Sequence, residues 1–363
     1  MRNSSQSMSN SLAPQHLPLR RSVTVDDARA SKCICSGDAL RTLVVGEEGT
    51  VTVALPFKST AIRSHAWRAG SNYADRPVLT VRVMRARNKT STVVFEEKTT
   101  AILEAGRAHL RVGPLEHSGP HILAITLNHA HVAGSPFVLS VEAAAASAEH
   151  SSFEGDECRA VAGERAVMIL VCRDAMGNAL TVGGAAVSAS IELSTSDKIL
   201  QADVTDHGDG TYAVATTISE AGTHRVVARV GGFQPEALPL VIVPGAPHGP
   251  SCRIATPKRW PVAGEPSTLE LTACDAHGNE VEQGGTRWGG LLDAPAPPDG
   301  GDPWRRLEGA LAVSVLGGGK YTIHIESATA GAHKLTIWPE WLFGGSEPSW
   351  LAAARANQCA ALV

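Results

Sequence analysis

Aromatic residues are scarce in this chain, at 4% of 363 residues. Glycine and proline are abundant instead, with 35 and 21 copies. That mix suits short strands joined by many turns better than long helices. Long apolar runs are missing. The longest are strand-sized, well short of the ~20 residues that a membrane-crossing helix needs. The first residues also lack the apolar centre of a secretion signal. Excess basic charge is missing too. The net charge is −4, so no general attraction to nucleic acid is implied.

Seven cysteines are an odd number without framework spacing. Cys172 precedes Arg173, whereas Cys274 stands where Arg173 stands in the next copy of the same pattern. A bridge shared by repeated domains would need matching positions. Reduced thiols and an intracellular, cytoplasmic setting are therefore expected. Metal patterns are lacking as well. Cys33-x-Cys35 has the wrong spacing for a zinc knuckle, and His129-x-His131 has no partner carboxylate or thiol nearby. The signatures G-x-S-x-G, G-x-x-x-x-G-K-[ST] and H-E-x-x-H are all absent. No catalytic residue, cofactor or metal is assigned on this reading.

What is present is a repeat. Asp206-His207-Gly208-Asp209-Gly210-Thr211-Tyr212 is a turn, since glycines reach positive φ without a Cβ clash. Tyr212, Val214 and Thr216 then alternate as a strand does. A second turn, Glu220-Ala221-Gly222, leads to His224, Val226, Ala228 and Val230 on one parity, with Arg225 and Arg229 on the other. The pattern returns from Gly319-Lys320-Tyr321 to Gly331-Ala332-His333. It also occurs earlier, from Gly106 to Gly119-Pro120-His121. A histidine follows the second glycine each time: His121, His224 and His333. One zinc ion cannot gather ligands from separate modules, so these read as a shared packing position. Asp206 and Asp209 read as caps of the turn backbone, not as an acid–base pair.

These motifs, in this order, resemble tandem filamin-type immunoglobulin-like repeats. The resemblance rests on Asp206–Tyr212, Glu220–Gly222, Gly134-Ser135-Pro136-Phe137, and Asp174-Ala175-Met176-Gly177-Asn178 with Gly183-Gly184. It is carried further by Asp275-Ala276-His277-Gly278-Asn279 with Gly284-Gly285, while the third repeat departs from G-S-P-F at Gly345-Ser346-Glu347-Pro348, which has one extra residue. It implies an all-β chain of three immunoglobulin-like sandwiches. Repeat 1 is placed at 32–143, repeat 2 at 148–244 and repeat 3 at 249–351. A disordered arm (1–31) precedes them and a tail (352–363) follows. The tail reads as helical or as the start of another repeat. The Ala-rich stretch 143–150 reads as a linker or helical turn, and Gly289–Asp302 as a long inserted loop.

The resemblance also implies a non-catalytic scaffold that binds proteins or extended peptides by strand addition, with a link to the actin cytoskeleton. No paired helical actin-gripping domain precedes repeat 1, so contact with actin is expected only through a partner. The edge expected to bind is Val187, Ser188, Ala189, Ser190, Ile191, Glu192 and Leu193, where short Ser188 and Ser190 leave room for a backbone. Two other readings stay open. One is a gamete-surface adhesion protein. The other is a set of accessory repeats of a larger enzyme such as a ubiquitin ligase, though no RING pattern is present.

Overall fold

The structure, a computed structural model, describes residues 30–56, 78–87, 90–100, 106–233, 237–257, 259–296, 304–340 and 359–362. The arm before residue 30 and the Gly345–Pro348 motif lie outside them. Among the described residues regular structure is almost entirely strand, apart from short 3-10 turns such as Asp38–Leu40 and Gly249–Ser251. The chain forms two compact units, Met1–Ala144 and Ala145–Val363.

The first unit is one sandwich. Its strands are β1 (Ile34–Ser36), β2 (Thr42–Val44), β3 (Gly49–Ala54), β4 (Leu79–Arg87), β5 (Thr90–Thr99), β6 (Arg107–Val112), β7 (Gly119–Leu127), β8 (Ala130–His131) and β9 (Phe137–Glu142). One sheet runs β1-β3-β6 and the other β2-β9-β7-β4-β5, with β8 added to β7. Side chains alternate across a strand, and β6 displays it: Ala108, Leu110 and Val112 are fully buried, while Arg107, His109 and Arg111 are exposed. The inward residues of both sheets form one aliphatic core.

The second unit holds two sandwiches. The first of these uses β10 (Ser147–Phe153), β11 (Cys158–Val161), β12 (Arg165–Arg173), β13 (Val187–Glu192), β14 (Ile199–Gln201), β15 (Asp203–Asp206), β16 (Thr211–Thr217), β17 (Gly222–Val230) and β18 (Leu238–Val243). Its sheets run β10-β12-β16-β15 and β11-β18-β17-β13-β14. Two antiparallel sheets closed over one core make an immunoglobulin-like sandwich, and the parallel β11–β18 pairing repeats the β2–β9 pairing of the first unit. Ser147–His150 belongs to β10, not to a linker. The strand is irregular there, with a register shift between Ser147 and Ser152.

The last sandwich uses β19 (Arg253–Ile254), β20 (Ser267–Thr272), β21 (Trp288–Pro295), β22 (Trp304–Arg306), β23 (Leu311–Gly317), β24 (Lys320–Ile325), β25 (Lys334–Pro339) and β26 (Cys359–Leu362). Its sheets run β19-β20-β24-β23 and β22-β21-β25-β26. Two sequence expectations are corrected here. Gly289–Pro295 is strand, not loop. Its glycines admit neighbours that a side chain would strike: a Cβ on Gly289 would lie 2.7 Å from Trp338 Nε1, and one on Gly290 2.6 Å from Leu311 Cδ2. The tail is neither helix nor a new repeat over Cys359–Leu362, which pairs antiparallel with Lys334–Ile337. Unmatched cysteines also find a reason. Ser151 Oγ accepts the Arg173 N–H (3.1 Å) and donates to the Ser147 carbonyl, and Cys252 Sγ does the same between Cys274 N–H (3.3 Å) and the His248 carbonyl. Cys252 is thus the sulfur counterpart of a serine.

The D-A-x-G-N turns fasten neighbouring elements. Asp275 Oδ1 accepts the N–H groups of His277 and Asn279, both at 2.9 Å, and Oδ2 accepts the Gly245 N–H (3.0 Å) from the connector between the two sandwiches. Asn279 reaches across the joint. Its Oδ1 accepts the Ala221 N–H (2.9 Å), and its Nδ2 donates to the Ser219 carbonyl (2.7 Å). His277 packs where a Cβ on Gly163 would stand. Burial pushes the Asp275 carboxyl up, but the Asn279 amide and the N–H groups of Gly245, Asn279 and His277 outweigh it and hold it below its ordinary value. The group is therefore stabilising above the ordinary aspartate range, and that contribution is lost as pH falls through the depressed value. Asn279→Ala is expected to weaken the joint by about 1–2 kcal/mol, the worth of its hydrogen bonds, while both sandwiches stay folded. Wild type is expected to loosen the same way below about pH 4. Limited proteolysis of the Pro244–Pro247 connector reads both. Equal cleavage of variant and wild type at neutral pH would remove Asn279 from the joint.

Candidate peptide-binding edge

The approach to β13 is held by the D-x-G-D-G-T-Y turn. Asp206 Oδ1 accepts the Gly208 N–H and Oδ2 the Gly184 N–H, both at 2.7 Å. Asp209 Oδ1 accepts both the Thr211 hydroxyl (2.6 Å) and the Thr211 N–H (3.0 Å). The Tyr212 hydroxyl accepts the Ala185 N–H at 2.8 Å. N–H donors from Gly184 and Gly208 hold the Asp206 carboxyl below its usual range, and the Thr211 hydroxyl and N–H do so for Asp209. Both are ionised, capped and tied to turn backbone, the opposite of a carboxyl poised to exchange a proton at neutral pH. Gly183 must lack a side chain because the Asp206 carboxylate occupies that place. The G-G turn and the D-x-G-D-G-T-Y turn therefore set the start of β13 together.

Along β13, Ala189 and Ile191 point into the core at 4% and 0% exposure. Ser188, Ser190 and Glu192 lie on the other face, away from the core. β17 pairs with one edge of β13 from Val187 to Glu192. The opposite edge is not open along its length, as the sequence reading expected. Ser190, Ile191 and Glu192 face Gln201, Leu200 and Ile199 of β14. The Ala202 N–H donates to the Ala189 carbonyl (3.0 Å), and the Leu193 N–H to the Lys198 carbonyl (3.2 Å). Val187 and Ser188 alone lie beyond that pairing. The physical reason is a polar turn, Ser194-Thr195-Ser196-Asp197, which folds the chain back on itself. That cluster was the available signal. Three exposed residues, Ile199–Gln201, carry no alternation by which to recognise a strand.

β14 is a slight cover. Ile199 is 63% and Leu200 36% exposed. Beside the end of β13 an open cleft of about 470 Å³ is lined by Glu192, Leu193, Thr223, Arg225 and Pro239, among others. Glu192 and Arg225 pair across it at 3.3 Å, but both are exposed and such pairs contribute little. The three repeat histidines sit elsewhere, one in each sandwich and each buried. His121 and His333 bond the carbonyl two residues earlier through Nδ1, and His224 bonds the Glu220 carbonyl through Nε2. Among the described residues no group of three or more His, Cys, Asp or Glu could hold a metal ion.

Residues 145–248, the whole sandwich that carries this edge, match the family model of the Filamin/ABP280 repeat. The second sandwich is a filamin repeat. Comparison with curated proteins finds no match. Among solved structures, the Escherichia coli adhesin FdeC is similar in fold over 92% of this chain and 97% of its own, at 19% identity and TM-score 0.50. Yersinia pseudotuberculosis InvD covers the same shares at 15% identity and TM-score 0.43. The Lin-41 filamin domain aligns with 27% of this chain over 97% of its own, at 22% identity and TM-score 0.24. No helix among the described residues is long and apolar enough to cross a membrane.

Proposed function

We propose that this chain is a non-catalytic binding module, organised as residues 32–143, 148–244 and 249–351. In this reading its filamin repeat captures extended segments of partner proteins by strand addition along Val187–Leu193. The incoming strand takes the place of β14. The observation that carries this reading is the mismatch between the edge and its cover: a strand-length edge closed by three exposed residues. Each hydrogen bond is worth about 1 kcal/mol net, so a longer ladder outcompetes a three-residue one. Short edge strands are a common device for keeping an edge closed until a specific partner arrives.

A reversible lock tests this. Ser190 and Gln201 face each other without exchanging ladder hydrogen bonds, since the bonded pairs are Ala189–Ala202 and Leu193–Lys198. Such pairs stand with Cα atoms about 4.5 Å apart, within disulfide reach. The double variant Ser190→Cys/Gln201→Cys is expected to lose partner capture when oxidised and to regain it on reduction. Undiminished capture by the oxidised form would remove β13 from the binding site.

A cytoplasmic setting accompanies this reading, supported by cysteines that stand at unmatched positions in successive repeats. A link to actin would then run through the bound partner. The fold-level likeness to FdeC along nearly the whole chain favours adhesion at a cell surface as the second reading. Locating the protein by surface labelling of intact cells separates the two.

A further inference from the structure

The approach to β21 matches the approach to β13 in length and packing. Asp275–Trp288 correspond to Asp174–Val187 with equal spacing, and Val315–Tyr321 correspond to Asp206–Tyr212. Asp206 and Tyr212 are strand partners, and so are Val315 and Tyr321. A Cβ on Gly210 would fall on the Leu180 carbonyl, and one on Gly319 would fall on the Val281 carbonyl. The side chains of the two turns differ. Asp206-His207-Gly208-Asp209-Gly210 becomes Val315-Leu316-Gly317-Gly318-Gly319, and both carboxylates are gone.

In the filamin repeat the Asp206 carboxylate fills a cradle of donors. It accepts the Gly184 N–H, and the Tyr212 hydroxyl donates to it while accepting the Ala185 N–H. In the last sandwich the same donors surround a valine that stands off. The place of a Cβ on Gly183 is 2.4 Å from an Asp206 oxygen, whereas on Gly284 it is 3.7 Å from Val315 Cγ1. Gly285 and Thr286 take the places of Gly184 and Ala185, and their N–H groups find no acceptor among the described residues. The Tyr321 hydroxyl is buried without a partner there. So is Trp288 Nε1, on the ring packed edge-on against Tyr321. Buried polar groups are ordinarily paired, and all of these can donate. The place is open to solvent, since Gly284 and Gly285 are exposed and Val315 is 60% exposed.

We propose that this cradle takes a carboxylate from outside the chain, the side chain of an aspartate on a partner protein, set where Asp206 sits in the filamin repeat. Backbone N–H groups gathered at a turn form an anion-binding concavity, and bonds to an ionised acceptor are the stronger kind. The surroundings limit the charge admitted. Arg287 faces the cleft in front of the turn, but Glu282 and Glu340 face it too. They favour a single carboxylate over an acidic run or a phosphate. The site is separate from the β13 edge and stands whether or not that edge takes a partner.

The test follows the Gly285 and Thr286 amide resonances of the full chain during titration with the blocked peptide acetyl-Gly-Asp-Gly-amide. Saturable shifts are expected. Asparagine in place of the peptide aspartate should weaken binding at least about tenfold, and acetate and inorganic phosphate should bind more weakly than the aspartate peptide. Val315→Asp supplies the carboxylate from within. Its two amides should already resonate near their peptide-saturated positions, and the titration should vanish. Tyr321→Phe should weaken the peptide at least about threefold while melting no lower than wild type. Absence of saturable shifts, equal binding of the asparagine peptide, or undiminished binding by Val315→Asp overturns the proposal. So does acetate binding as tightly as the peptide, which would make a free carboxylate the ligand, or phosphate binding more tightly than either.

Discussion

Gly210→Ala is expected to cost the filamin repeat about 2–6 kcal/mol, a large share of a typical domain's stability. Gly210 sits at φ +87°, where side chains are strained, and an added Cβ would fall on the Leu180 carbonyl. Leu180 cannot step back freely. Its N–H bonds the Cys172 carbonyl, and the Cys172 N–H bonds the Gly210 carbonyl, both at 3.0 Å. Moving one strand of this ring breaks a backbone bond between the sheet and the loop leading to β13. Gly208 provides the control. Its φ is +80°, but nothing lies within 4 Å of the Cβ it lacks. Gly208→Ala should carry the conformational strain alone, at the low end of about 1–3 kcal/mol. Hydrogen exchange of the β12 and β16 amides in the full chain measures both. Equal protection in the two variants would show that strain alone, and no clash, sets the need for glycine at 210.

The distinction between those glycines was not visible in the sequence, where both read as turn glycines. The strands were. Period-two alternation is a local property, and it placed β17 with His224, Val226, Ala228 and Val230 inward and Arg225 and Arg229 outward, as found. The motif order gave the sandwich and its filamin character. What escaped depends on partners far along the chain or on very short elements. Asn279 bonds Ser219 and Ala221, about 60 residues away, and no local pattern announces such a pairing. β14 has too few residues to show a period, so the edge Val187–Leu193 looked free when all of it but Val187 and Ser188 was covered. In β21 the glycines at 289 and 290 suggested a loop, although the alternation of Trp288, Leu292 and Ala294 was present. Glycine there serves packing against Trp338 and Leu311, and composition cannot separate that use from a turn.

Tyr212→Ala is expected to destabilise the filamin repeat by about 3–5 kcal/mol, the usual cost of removing a buried aromatic ring. Tyr212 is 2% exposed and central to its core. The more informative comparison removes only the hydroxyl. In Tyr212→Phe the Ala185 N–H loses its acceptor and Asp206 loses a hydrogen-bonded neighbour, so about 1–3 kcal/mol should go with an unpaired, half-buried donor. Tyr321 holds the matching place in the last sandwich at 1% exposure, packed edge-on to Trp288 with ring centroids 5.4 Å apart. Its hydroxyl is buried without a partner among the described residues. Tyr321→Phe removes a polar group whose burial is uncompensated, so it should be neutral or stabilising. Local hydrogen exchange of β16 and β24 reports the two sandwiches separately. Opposite responses are expected, loss of protection for Tyr212→Phe and none for Tyr321→Phe. Equal losses would mean that Tyr321 finds an acceptor in solution, and that the two tyrosines pin their loops alike.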